Sequence, residues 1–210
     1  QHDATGFDVG FVDLNRLKAP GQRRILLDVL AVLCPCGRMV RNGGRTLGLF
    51  LIDGFALMSY AAVVEPFRAA NSLAGRQLYR WTHVSVDGRP VCASNGACVL
   101  ADRAVGRSLV CDTLFVVAGG DPAAFSDAGT FAWLRRLARS NVRLAGVSGG
   151  PFLLARAGLL DGYRATIHWS HRPAFLDAFP TLAIGPSLYV IDRRRLTCAG
   201  GTAGLTWRSS

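Results

Sequence analysis

Residues 144–162 read LAGVSGGPFLLARAGLLDG, and the fold turns on the joint inside them. A short apolar run ends at Ser148, Gly149 and Gly150 follow at once, and a helical pattern begins at Pro151. Gly146-Val147-Ser148-Gly149-Gly150 has the G-x-S-x-G spacing that puts a serine on a sharp strand-to-helix elbow. Such a turn exposes the hydroxyl beside the free N–H groups of the helix start, where an anion or oxyanion is favoured. Gly149 permits tight backbone geometry, and Pro151 suits the first helical turn, where its missing N–H costs nothing. Three roles for Ser148 stay open on spacing alone: a working nucleophile, a pocket residue that only binds, and a simple helix N-cap.

Working outward, apolar runs and helical patterns alternate. TLGLFLID (46–53), TLFVVAGG (113–120) and VRLAGVS (142–148) are continuous apolar runs, as strands buried on both faces should be. WTHVSVDG (81–88) alternates like a strand, and SLYVID and RLTCAG are short strands near the end. Residues 56–74, 131–139, the stretch from Pro151 and 171–179 are helix-like, with a kink expected at Pro66. TIHW (166–169) reads as a short strand ending at His168 and Trp169. The alternation predicts an α/β fold with a doubly wound, mainly parallel sheet and helices on both faces. In such sheets ligands sit beyond the carboxyl ends of the strands. Asp53-Gly54, Gly119-Gly120-Asp121 and Ser148-Gly149-Gly150 therefore converge on one crevice, with Gly120 placed to supply a second backbone donor.

The 210 residues, half of them apolar, suffice for one sizeable core and exclude disorder. The net charge of +10 comes almost wholly from arginine, with Lys18 the sole lysine, a usage that a GC-rich genome also produces. Arg193-Arg194-Arg195 is the single basic run and reads as a solvated hairpin turn, not a nucleic-acid surface. Six cysteines are scattered without a C-x-x-C pair, so they are expected to pack as small hydrophobes in a reducing, cytoplasmic compartment. No metal or other cofactor is implied. Residues 1–45 read as a peripheral or poorly ordered extension, because ILLDVLAVLC is too short to span a bilayer and Asp28 interrupts it.

Nucleophilic catalysis needs a base within hydrogen-bond reach of the serine. Downstream of the elbow the histidines are His168 and His171, following Asp161, and about sixty residues leave no room for the acid- and histidine-bearing strands of an α/β-hydrolase.

GVSGGPFLLARAGLLDGYRATIHW, FVVAGGD and DGFALMSYAAVVEPFRAAN together resemble the ThiJ/PfpI superfamily, whose fold is flavodoxin-like and similar to class I glutamine amidotransferases. Within it, the chain is similar to the sensor domains of GlxA-type regulators of the AraC family. VEPFRAAN, SNG (94–96) and LYVIDRRRLTCAGGTAG are similar to regulators of arginine, carnitine and glycine-betaine catabolism. The resemblance covers residues 46 to about 206, so 46–210 is expected to be the ligand-sensing domain.

The resemblance implies an elbow cysteine and, after the first strand, an acid contacting it; this chain carries Ser148 and Ser59 at those places. Both changes remove the thiolate chemistry and favour binding over catalysis. It implies further that Gly120 and Gly149 are backbone oxyanion donors and that Glu65 and His168 lie near the pocket. Ser148, Gly149, Gly120, Asp121, Ser59, Glu65, His168 and Trp169 are thus the candidate ligand-binding residues. For a quaternary ammonium effector, Tyr60, Phe67 and Trp169 are the candidate aromatic cage. The resemblance also implies a homodimer, with DNA bound only through helix-turn-helix units beyond this chain. The rival expectation is a stand-alone amidase, hydratase or glyoxalase-like enzyme using Ser148.

Overall fold

The computed structural model describes residues 44–201. The proposed extension and Cys34-Pro35-Cys36 lie outside the described residues, except that Arg45 already opens the first strand. The strands are β1 (Arg45–Leu51), β2 (Tyr79–Ser85), β3 (Val91–Cys92), β4 (Cys98–Val99), β5 (Arg103–Ala104) and β6 (Thr113–Ala118). After them come β7 (Arg143–Ser148), β8 (Arg164–Ala165), β9 (Ala183–Ile184), β10 (Tyr189–Asp192) and β11 (Arg195–Cys198). The helices are α1 (Leu57–Ala74), α2 (Ala128–Arg139), α3 (Gly150–Arg156) and α4 (Arg172–Ala178).

Seven strands form one sheet in the order β10-β11-β7-β6-β1-β2-β5, parallel except for β10 against β11. The run β2-β1-β6-β7-β11 has the flavodoxin-like order, and the direction of winding reverses between β1 and β6. The loops after β1 and β6 therefore flank a crevice, and the elbow after β7 lies one strand further on. This is the α/β fold that the alternating runs predict.

Side-chain alternation along the apolar strands feeds two cores. Phe50, Leu114, Val116 and Leu144 pack with Trp133 and Leu134 of α2 and Phe152 and Leu153 of α3. Leu49, Leu51, Phe115 and Val117 pack with Val63, Val64 and Phe67 of α1 on the opposite face. Local signals set the helix ends. Asp127 accepts the Thr130 N–H at the start of α2, and Gly75, at φ 61°, closes α1. Pro66 lies inside α1, which runs unbroken across it.

Three expectations are corrected. His168 and Trp169 do not end a strand: β8 stops at Ala165, and Trp169–His171 form a 3-10 turn capped by His168. Arg193 and Arg194 do form the β10–β11 hairpin turn, but Arg195 opens β11 and is buried. Its Nε donates to the Leu159 carbonyl at 2.7 Å, and its guanidinium lies 4.9 Å from the Tyr163 ring centroid. Cys92 and Cys98 are joined in a disulfide across β3–β4, because the hairpin register sets them directly opposite. Cys111 and Cys198 do pack as buried thiols, and burial pushes both up to about 11.

Candidate functional site

Ser148 ends β7 with φ 59°, a left-handed conformation that non-glycine residues adopt at a cost. Its neighbours explain how the chain tolerates that turn. A Cβ on Gly150 would lie 2.0 Å from the Val116 carbonyl oxygen, and one on Gly146 2.7 Å from the Pro151 nitrogen. The outer glycines of G-x-S-x-G thus let α3 rise steeply against β6 and β7. Ser148 is not the helix cap; Gly149 holds that place, with Pro151 in the first turn.

Gly149 lies against the loop after β6. Its N–H donates to the Ala118 carbonyl at 2.9 Å, and a Cβ there would meet the Pro122 ring at 3.0 Å. The amide is therefore occupied and is no oxyanion donor here, because the parallel ladder continues one residue past β7. By contrast, no backbone hydrogen bond among the described residues takes up the N–H of exposed Gly120. Asp121 folds onto its own loop, its Oδ1 accepting the Ala123 N–H at 3.0 Å.

His168 meets the elbow through its backbone: its N–H donates to the Ser148 carbonyl at 3.3 Å. Its imidazole has Nδ1 2.7 Å from Ser170 Oγ and its ring beside those of Trp169 and His171. Burial lowers the pKa of His168 and His171, and the carboxylate of Asp121 partly offsets this at His171. The 119–122 loop and the 168–171 turn thus share one rim of the elbow. Trp169 stands there 77 % exposed.

On the other side, Ser59 of α1 is 1 % exposed and its Oγ accepts the Gly201 N–H at 2.8 Å. Gly200, at φ 81°, is wedged between the two serines. A Cβ on it would be 2.7 Å from Ser148 Cβ and 2.8 Å from Ser59 Oγ. Ser148 is consequently only 5 % exposed, and none of the described residues hydrogen-bonds its hydroxyl. Sequence reasoning missed Gly200 and Gly201; the paired glycines after the last strand were the available signal.

Two further expectations fail on position. Glu65 is six residues beyond Ser59 in α1, about 9 Å along the axis and on another side of the helix. It is exposed and paired with Arg68 at 2.6 Å. The proposed aromatic cage does not assemble: Phe67 packs on Tyr79 and Phe115, Tyr60 on Phe55 and His83, and Trp169 on His168. Among the described residues no group of three metal-ligating side chains converges, and no helix is long and apolar enough to cross a membrane.

A seven-stranded sheet of this winding with a serine elbow defines a class, and sequence comparison names it. The DJ-1/PfpI family profile matches residues 48–208, and the chain belongs to that family. Among relatives, it is 45 % identical over 166 residues to the HTH-type transcriptional regulator GlxA of Rhizobium meliloti (strain 1021), covering 79 % of this chain and 51 % of that protein. It is 45 % identical over 155 residues to the HTH-type transcriptional regulator CdhR of Pseudomonas aeruginosa, covering 74 % of this chain and 46 % of that protein. The chain thus spans about half the length of these curated relatives. A crystal structure of a ThiJ/PfpI family protein from Pseudomonas syringae matches at TM-score 0.65 and 30 % identity, covering 79 % of this chain and 66 % of that one. An AraC family transcriptional regulator from Pseudomonas putida shares the fold at TM-score 0.66 and 24 % identity, over 77 % and 86 % of the two chains.

Proposed function

We propose that this domain is the non-catalytic, small-metabolite-sensing part of an AraC-type transcriptional regulator. The observation that carries the reading is the pair of serines at the elbow. Among the described residues no base hydrogen-bonds the Ser148 hydroxyl, and the nearby His168 directs its Nδ1 to Ser170 Oγ at 2.7 Å. Ser59, standing where family enzymes have an acid, accepts the Gly201 N–H and has no charge with which to tune a nucleophile. A serine hydroxyl in that setting stays protonated and unreactive at neutral pH. The similarity to GlxA and CdhR, both transcriptional regulators, supports the regulatory half of the reading.

The effector is a small charged metabolite, in the class of amino acids or quaternary amines, held at the rim. There the Gly120 amide has no backbone partner among the described residues, and His168, His171 and Trp169 offer ring faces and imidazole nitrogens. The domain works as a homodimer, and DNA is bound by a helix-turn-helix module outside this chain. Coupling requires the effector to bind one dimer arrangement better than the other, since equal affinity shifts nothing.

The test is a thermal-shift screen of the purified chain against amino acids, betaines and carnitine. A ligand at a hundredfold its Kd adds about 2.7 kcal/mol of stability, which for a domain of this size raises Tm by roughly 5–10 °C. A shift retained in His171→Ala would place the ligand elsewhere. Turnover of amidase, hydratase or glyoxalase substrates that disappears in Ser148→Ala would replace the sensing reading with the enzymatic one.

A further inference from the structure

The β3–β4 hairpin is a separate two-stranded sheet, outside the seven-stranded one. Its ladder holds two residue pairs, Val91↔Val99 and Cys92↔Cys98, too short to be stable without another constraint. The disulfide joining Cys92 and Cys98 supplies a covalent one, beside the Ala93 N–H to Ala97 carbonyl bond at 2.7 Å and the burial of Val91 and Ala93. The hairpin is in turn stitched to the loop after β1. Gly54 N–H donates to the Cys92 carbonyl at 2.8 Å, Cys92 N–H to Asp53 Oδ1 at 2.9 Å, and Ser94 N–H to the Phe55 carbonyl at 2.9 Å.

The same loop bears on the elbow from two directions. The Gly54 carbonyl oxygen sits where a Cβ on Gly119 would be 2.5 Å away, so it presses on the strand end that carries Gly120. The loop then runs into α1, which brings Ser59 to Gly200 and Gly201. Cys98 is exposed, within reach of a small thiol, whereas the unpaired Cys111 and Cys198 are buried.

We propose that the Cys92–Cys98 disulfide is a thiol-responsive clasp that holds the loop after β1 in place beside the elbow. A low-molecular-weight thiolate attacks Cys98 Sγ; the S–S bond breaks and Cys92 leaves as a thiolate that takes up a proton. A second small thiol resolves the mixed disulfide, leaving two protein thiols and one oxidised small disulfide. The hairpin then loses its cross-link, and the Gly54 and Ser94 amides lose their fixed partners. The consequence for effector binding rests on the function proposed above, but the clasp itself is read without any effector.

The experiment equilibrates the purified chain in reduced and oxidised dithiothreitol mixtures. Differential alkylation with mass spectrometry follows each cysteine, and amide hydrogen exchange follows peptides covering 52–57 and 91–99. The expected result is selective reduction of Cys92 and Cys98, with exchange in those peptides rising about tenfold or more while β6 and β7 stay protected. Cys92→Ala/Cys98→Ala should show the fast exchange in both buffers, and Cys111→Ala should still respond. Free Cys92 and Cys98 thiols under oxidising conditions would overturn the proposal. So would unchanged exchange on reduction, or a rise spread evenly over the whole domain. If the clasp responds but no metabolite binds, the sensing reading fails and the clasp stands.

Discussion

A Cβ on Gly150 would sit 2.0 Å from the Val116 carbonyl, and neither backbone can retreat without separating β6 from α3. Gly150→Ala is therefore expected to cost about 3 kcal/mol or more in urea denaturation. Ser148 is the opposite case. It sits at φ 59° with a hydroxyl that bonds to none of the described residues, so glycine should relieve more strain than it adds in chain entropy. Ser148→Gly is expected to stabilise the fold by about 1 kcal/mol, the left-handed cost less the glycine penalty. A loss of stability would mean that the hydroxyl is bonded. The elbow was legible in sequence because strand, glycine, serine and proline are contiguous. Gly200 was not, because its contacts are to Ser59 in α1 and Ser148 in β7, both far away along the chain. The occupied Gly149 amide was equally hidden, since only the strand register shows the Ala118 carbonyl facing it.

Among the elements, the β10–β11 hairpin shows where composition misleads. An arginine triplet suggests a solvated turn, yet strand alternation turns Arg195 inward onto Tyr163 while Arg193 stacks on the same ring from 3.8 Å. Arg195→Lys keeps the charge but loses the planar stack and the fixed Nε bond to Leu159, and is expected to cost about 1–2 kcal/mol. Equal stability of the two proteins would show that the charge alone matters there. The β3–β4 hairpin was half legible: Ser94-Asn95-Gly96 is a turn signal between the two cysteines, and reading it as a hairpin would have paired them. The long apolar strands and amphipathic helices were read within a few residues because each carries its own period. The segment from Thr166 to His171 was not, since its conformation is set by distant bonds such as Thr166 N–H to Thr197 Oγ1 at 2.9 Å.

For the whole molecule, the two faces of the sheet are filled by separate cores, and the described histidines His83, His168 and His171 are partly buried. Burial lowers the pKa of His83, His168 and His171; at His83, bonded to Tyr60 at 3.0 Å, nearby Asp102 opposes the shift. A histidine whose folded pKa lies below its unfolded value binds a proton more readily when unfolded. Stability should therefore be full above about pH 7 and fall as pH drops through about 6.5 towards the lowered folded values. Melting curves between pH 7.5 and 5.5 check this, and His83→Gln should flatten part of the slope; a Tm that rises on acidification would reverse the sign.

The central claim, that the rim of the elbow binds a small metabolite without transforming it, is tested most directly by ligand-observed saturation-transfer NMR. The purified chain is incubated with amino acids, betaines and carnitine, and the same spectra report both contact and product. The expected result is saturation transfer to at least one charged metabolite, lost in His171→Ala, with no new resonances after prolonged incubation. Product resonances that vanish in Ser148→Ala would contradict it and make the elbow a catalytic centre.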